Sequence, residues 1–145
     1  MSLTTRQIEL IQSAIPVITA NADTVADAFY TQLFALDPSL RPMFRGDMVE
    51  QGRKLMTMLG TALNNVNRLD SLHAPLQNMG RRHVDYGVTL NHYAVVGQAL
   101  INTLETAFGE AFTQEVRTAW VTLYGALVEA TTAGLYGPQT ESAAD

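Results

Sequence analysis

Apolar residues recur three and four positions apart along most of this chain. Two segments show the spacing clearly, with Ile8, Ile11, Ile15 and Ile18 in the first and Leu55, Met58, Leu59, Ala62 and Leu63 in the second. An α-helix has 3.6 residues per turn, so this spacing places the apolar side chains on one helix face. The alternating pattern of strands joined by two-residue turns is absent from the sequence. The spacing therefore predicts an all-α fold.

Prolines, glycines and capping residues divide the pattern into segments. Asp37-Pro38 is predicted to end a helix over 23–36, because the residue before a proline is pushed out of the helical region. A short helical turn is expected over 39–44, and Asp47 can cap a helix that runs to about Asn65. Further helices are predicted over 71–87, over 91–108 with Asn91 as the cap, and over 113–136 with Thr113 as the cap.

Composition limits the class of protein. The 145 residues, 47% of them hydrophobic, suit one domain, which we expect over 1–136 with a flexible polar tail over 137–145. The absence of cysteine excludes disulfides, thiolate metal sites and cysteine nucleophiles. The net charge of −5 comes without a basic run, which argues against nucleic acid as a partner. No signal peptide and no 18-residue apolar run is present, so we expect a soluble cytoplasmic protein without a membrane partner.

No local enzyme motif is present, so the chemistry must be sought in single residues on helix faces. His83 follows Leu76, Met79 and Gly80 by seven, four and three positions, and all four share one face. A neutral imidazole there can ligate iron while its other ring nitrogen donates to a main-chain carbonyl near Met79. The alternative is a hydrogen-bonded core histidine, and the spacing leaves both open.

Two polar side chains fall on otherwise apolar stretches. Gln51 precedes Leu55 by four residues, where it can either donate to a small bound molecule or lie at the helix surface. Tyr30 lies among large apolar residues, and its hydroxyl needs a partner if the ring is buried. It is either a second donor to the same molecule or a tyrosine at the boundary of the core.

Several motifs occur in an order and spacing that resemble the bacterial single-domain globins and the globin portion of flavohaemoglobins. They are Phe29-Tyr-Thr-Gln-Leu-Phe34 followed by Asp37-Pro38, Arg41-Pro-Met-Phe44, Gln51-Gly-Arg-Lys-Leu55, His83, His92-Tyr93-Ala-Val-Val-Gly97 and Ala119-Trp120-Val-Thr-Leu-Tyr124-Gly125. The resemblance covers about Thr5 to Tyr136. It implies a globin fold of seven to eight helices around a non-covalently bound haem b.

The resemblance also implies a role for individual residues. His83 is the implied protein ligand to the iron, while Tyr30, Gln51 and Leu55 are the implied residues on the gas side. The implied cofactor contacts are Phe44, Gln51, Lys54, Leu55, Met79, His83, Val88, Tyr93 and Val96.

Reversible binding of oxygen or another diatomic gas, such as nitric oxide or carbon monoxide, is the function that the resemblance implies. An enzymatic alternative is nitric oxide dioxygenation, for which a separate reductase would supply electrons, since the chain is too short for flavin and nicotinamide domains. Flavohaemoglobins support oxygen activation with a tyrosine ten residues after the proximal histidine, here Tyr93, and a glutamate in the last helix. An ungapped count from Tyr124 places Leu135 at the glutamate position, with Glu129 earlier. A helical interaction module without a cofactor, in which His83 is a core residue, is the third hypothesis.

Overall fold

The computed structural model describes residues 3–44 and 46–135, which form six α-helices and three 3₁₀ segments and contain no strand. The α-helices are α1 (Thr5–Ala20), α2 (Ala22–Leu36), α3 (Met48–Asn64), α4 (His73–Asp85), α5 (Leu90–Phe108) and α6 (Gln114–Thr132). The 3₁₀ segments are Pro38–Met43, Val66–Leu72 and Gly109–Ala111. The all-α prediction is confirmed, and the tail predicted over 137–145 lies outside the described residues. None of these helices combines the length and hydropathy needed to cross a lipid bilayer.

Two of the three predicted helix caps are present. The Asp47 side chain accepts a hydrogen bond from the Val49 amide at 2.9 Å, and the Thr113 side chain accepts one from the Val116 amide at 3.2 Å. These contacts satisfy amide groups that have no partner within the first turn of a helix. Sequence reasoning therefore placed the starts of α3 and α6 correctly.

The prediction for the start of α5 was wrong. The helix begins at Leu90 after Thr89, rather than after Asn91, because the His92 side chain can reach back to the cap residue. The Thr89 amide donates to Nδ1 of His92 at 3.0 Å. His92, whose side chain accepts this bond, is half-buried.

The last helix is shorter than the predicted 113–136. It ends at Thr132, and Ala133 already has a non-helical backbone with φ −55° and ψ 121°. Gly134 follows with φ 74°, a left-handed conformation that suits glycine and ends the helix.

Helices α3 and α4 pack mainly against different neighbours. In the described part of the chain, α2 packs mainly against α5 and α3, whereas α4 packs mainly against α6 and not extensively against α3 or α5. A buried cluster centred on Trp120, which is 1% exposed, joins α1, α3, α5 and α6. A second cluster around Leu33 and Ala99 joins α2 to α5. A third, small cluster of Ala62, Leu72 and Leu76 joins the C-terminal end of α3 to the N-terminal end of α4. Elsewhere the two helices pack against different neighbours.

Candidate functional site

The His83 imidazole is held in an orientation that suits a metal ligand. Its Nδ1 atom lies 2.8 Å from the main-chain carbonyl oxygen of Met79, one turn earlier in α4, so the predicted hydrogen bond is confirmed. A carbonyl oxygen can only accept, so Nδ1 carries a hydrogen, and in the neutral imidazole Nε2 is the nitrogen with the lone pair. The imidazole is half-buried. This tautomer and orientation are what a ligand to a metal through Nε2 requires.

Tyr93 of α5 is stacked beside this imidazole. The two ring centroids are 6.3 Å apart with planes 22° apart, and Tyr93 is 9% exposed. The Tyr124 hydroxyl donates to the Tyr93 main-chain carbonyl at 2.6 Å. Gly97 makes this possible, because a Cβ at that position would lie 2.6 Å from the Tyr124 ring. Burial, together with the nearby Tyr93, raises the pKa of Tyr124.

A close approach between α4 and α6 sets the position of the helix that carries His83. A Cβ at Gly80 would overlap the Thr131 main-chain carbonyl oxygen and lie 2.8 Å from Cδ1 of Leu135. The two helices can therefore be this close only with glycine at position 80. Sequence reasoning named Gly80 as a member of the His83 face but gave it no role, because no local signal shows which helix packs on that face.

The two residues considered for the glutamate position of flavohaemoglobins, Leu135 and Glu129, differ in exposure. Leu135 is partly buried and lies against Gly80. Glu129 is exposed on α6. Leu135 thus contributes an apolar contact to α4 beside Gly80.

An aromatic cluster forms a different part of the candidate site. Tyr30 stacks on Phe34 with centroids 6.0 Å apart, and Phe44 meets Tyr30 edge-on at 5.5 Å and Phe34 edge-on at 5.4 Å. Leu55 and Val96 pack against the same buried cluster. Tyr30, Phe34, Phe44, Leu55 and Val96 are all only partly buried. They therefore leave apolar surface that a flat apolar molecule could cover.

Tyr30 and Gln51, the two predicted polar residues on the gas side, are brought together. The Tyr30 hydroxyl donates to the main-chain carbonyl of Gln51 at 3.2 Å. Burial raises the pKa of Tyr30 to about 12. Gln51 is half-buried in the first turn of α3. Sequence reasoning missed this bond, since it considered Tyr30 and the Gln51 amide only as separate donors.

The remaining predicted residues vary in exposure. Lys54 is exposed on α3, whereas Met79 and Val88 are partly buried, and the Val88 amide donates to the His83 main-chain carbonyl at 2.9 Å. His73 is exposed at the first position of α4.

The donor set fits haem better than a bare metal ion. Within residues 3–44 and 46–135, no group of three His, Cys, Asp or Glu side chains could hold a metal ion. A single imidazole is enough when the other ligands come from a porphyrin. The half-buried imidazole on α4 and the partly exposed aromatic cluster therefore fit a flat, largely apolar group that contains iron.

Comparisons with known proteins agree with this geometry. The globin family profile matches residues 27–131. The neuroglobin of Danio rerio is 34% identical over 119 residues, which cover 72% of this chain and 75% of that protein. A flavohemoprotein of Vibrio cholerae is 27% identical over 125 residues, which cover 84% of this chain but only 32% of that protein.

Solved structures show the same fold. A bacterial globin from Campylobacter jejuni superimposes with a TM-score of 0.78 at 25% identity, covering 88% of this chain and 93% of that one. An engineered carbene transferase, derived from a putative nitric oxide dioxygenase of Rhodothermus marinus, gives a TM-score of 0.80 at 21% identity over 99% of both chains. The resemblance to bacterial globins and to the globin domain of flavohaemoglobins is confirmed. The chain belongs to the globin family, whose members bind haem and diatomic gases.

Proposed function

We propose that this globin holds haem b without a covalent bond, with Nε2 of His83 as the protein ligand to the iron, and binds oxygen or another diatomic gas reversibly. The observation that carries the proposal is the 2.8 Å contact between Nδ1 of His83 and the Met79 carbonyl. It fixes the tautomer that leaves Nε2 able to ligate a metal. Ferrous haem supplies the iron on which a gas molecule is held.

Residues from both parts of the site are proposed to hold the cofactor. Phe44, Leu55 and Val96 offer partly exposed apolar surface beside the aromatic cluster, and Met79, Val88 and Tyr93 surround His83 in sequence and in space. Lys54 is exposed on α3, where its ammonium group can pair with a haem propionate. These apolar side chains would keep water away from a bound iron and so slow its oxidation.

On the gas side, Gln51 and Tyr30 are the proposed hydrogen-bond donors, with Leu55 packed beside them. Because bound oxygen would carry partial negative charge, each donor should contribute about 0.5–1.5 kcal/mol, or up to about tenfold in affinity. The expected result is slow release of oxygen. Carbon monoxide develops less charge and should gain less from the same donors.

Optical spectra test the proposal. The purified protein should show a Soret band, and its ferrous form should give distinct spectra with oxygen and with carbon monoxide. A protein that shows no Soret band even after haem is added would contradict the proposal. It would favour the alternative in which His83 is a core residue of a cofactor-free helical module.

Nitric oxide dioxygenation is the second candidate function. The observation that favours it is the stacking of Tyr93 on His83, because a tyrosine at this position is what the resemblance to flavohaemoglobins implies. The apolar Leu135 beside Gly80 argues for the carrier function instead. Nitric oxide, oxygen and one electron give one nitrate ion, so a reductase must supply the electron for each turnover. Sustained nitrate production with a reductase, beyond the single round that the reduced protein can perform, would support this enzymatic function over simple carriage.

A further inference from the structure

The Tyr30 hydroxyl lies where α2 meets α3. It donates to the Gln51 main-chain carbonyl at 3.2 Å. At the next residue of α3 the helices are very close, since a Cβ on Gly52 would lie 3.2 Å from Cβ of Ala26. The hydrogen bond therefore joins α2 to α3 where the two helices cross. It restrains the main chain of Gln51, whose side chain is the other proposed donor on the gas side.

Neighbouring aromatic rings restrict the movement of the Tyr30 ring. Phe29 meets it edge-on at 5.1 Å, Phe34 stacks on it at 6.0 Å and Phe44 meets it edge-on at 5.5 Å. The hydroxyl hydrogen can still change direction by rotation about the C–O bond, which needs no movement of the ring. The Tyr30 hydroxyl can therefore change its hydrogen-bond acceptor while the ring stays in place.

A tyrosine hydroxyl carries one hydrogen, so it makes one full-strength hydrogen bond as a donor. The hydrogen given to the Gln51 carbonyl is unavailable to a gas ligand, and the reverse also holds. The two acceptors therefore compete, and any two binding events that compete in this way are thermodynamically coupled.

We propose that Tyr30 is a positioning residue for α3 as well as a donor to the gas, so that a gas that takes its hydrogen bond releases α3 from α2 at Gln51. The inference rests on the proposed function, since it needs a gas site beside Tyr30. Oxygen, which attracts a donor strongly, should release α3. Carbon monoxide, which attracts a donor less, should leave the contact in place.

Hydrogen–deuterium exchange of the haem-loaded, full-length protein tests this coupling. Exchange of the backbone amides over 48–55 is measured under oxygen and under carbon monoxide, with the amides over 114–132 as the reference for overall stability. The unmodified protein should exchange roughly 2- to 10-fold faster over 48–55 under oxygen, the factor that one hydrogen bond accounts for. Over 114–132 the two gases should give the same exchange.

Tyr30→Phe removes the hydroxyl and keeps the ring, and Tyr86→Phe is the matched control because Tyr86 is 70% exposed. In Tyr30→Phe the amides over 48–55 should exchange equally fast under both gases, at the rate that the unmodified protein shows under oxygen. Oxygen should dissociate up to about tenfold faster from this variant, with a smaller change for carbon monoxide. Tyr86→Phe should behave as the unmodified protein.

Equal exchange over 48–55 under the two gases in the unmodified protein would overturn the coupling. That comparison requires no substitution, so a folding defect in Tyr30→Phe would not remove the test. Normal oxygen and carbon monoxide spectra with equal exchange would contradict the coupling alone, whereas the lack of any gas spectrum would contradict the proposed function itself.

Discussion

Nδ1 of His83 and the carbonyl oxygen of Met79 are 2.8 Å apart, within one turn of α4. This hydrogen bond fixes the orientation of the imidazole relative to the main chain of α4. The position of α4 in turn depends on its close contact with α6 at Gly80. The placement of the proposed iron ligand thus follows from helix packing about one turn away from it.

Replacement of Gly80 by alanine should therefore disturb the protein strongly. The added Cβ would overlap the Thr131 carbonyl oxygen, which is main chain and can move only with α6. We expect the free energy of unfolding to fall by about 1–3 kcal/mol, the usual cost of overpacking. Urea denaturation of the haem-loaded protein measures this change.

Gly60→Ala is the matched control, since Gly60 lies inside α3 and a Cβ there would meet no atom within 4 Å beyond its chain neighbours and the main chain of its own helix. It should raise the free energy of unfolding by up to about 1 kcal/mol, because alanine favours a helix over glycine. Equal effects of the two substitutions would show that the α4–α6 contact does not need glycine.

Gln51→Leu should speed the release of oxygen. The substitution removes a donor of the proposed gas side and keeps a side chain of similar size, so the loss of about 0.5–1.5 kcal/mol gives up to about tenfold faster dissociation. Stopped-flow displacement of oxygen by carbon monoxide measures the rate. Gln98→Leu, on an exposed position of α5, should leave the rate unchanged. An unaltered rate in Gln51→Leu would remove this residue from the gas side.

Stability should fall at alkaline pH because of the buried tyrosines. A tyrosine in the unfolded chain loses its proton near pH 10, whereas folded Tyr30 keeps it to about pH 12, and the pKa of Tyr124 is also raised. The unfolded state therefore loses protons first as the pH rises. The stabilisation that comes from keeping Tyr30 protonated is complete below pH 10 and declines between about pH 10 and pH 12.

Urea midpoints between pH 8 and pH 11.5 measure this decline. Tyr30→Phe should make it shallower, and Tyr86→Phe, which alters an exposed side chain, should not. A decline of the same steepness in Tyr30→Phe would show that Tyr30 does not titrate differently on unfolding.

The features that could be predicted from the sequence depend on residues within one or two turns of each other. The spacing of Leu76, Met79 and Gly80 before His83 predicted a shared face, and the bond from His83 to Met79 needs only one turn of helix. Thr89 and Asn91 are both good capping residues. Thr89 is the cap because the His92 side chain accepts a hydrogen bond from its amide. The capping preferences of single residues do not include this contact.

The features that could not be predicted depend on helix packing. The Tyr124 hydroxyl meets the Tyr93 carbonyl across 31 residues, and the Tyr30 hydroxyl meets the Gln51 carbonyl across 21 residues. Both acceptors are main-chain carbonyls inside helices, which already have a partner in the helix and are not expected to take a second. These two carbonyls can be identified as acceptors only when the positions at which the helices cross are known.

Haem titration of His83→Gly, with and without added imidazole, is the most direct test of the central claim that His83 ligates the iron. His73→Gly, which alters an exposed histidine, is the control. The account predicts that His83→Gly loses the Soret spectrum of the unmodified protein, that free imidazole restores it by entering the space left by the side chain, and that His73→Gly retains it throughout. An unaltered spectrum in His83→Gly without imidazole would contradict the account.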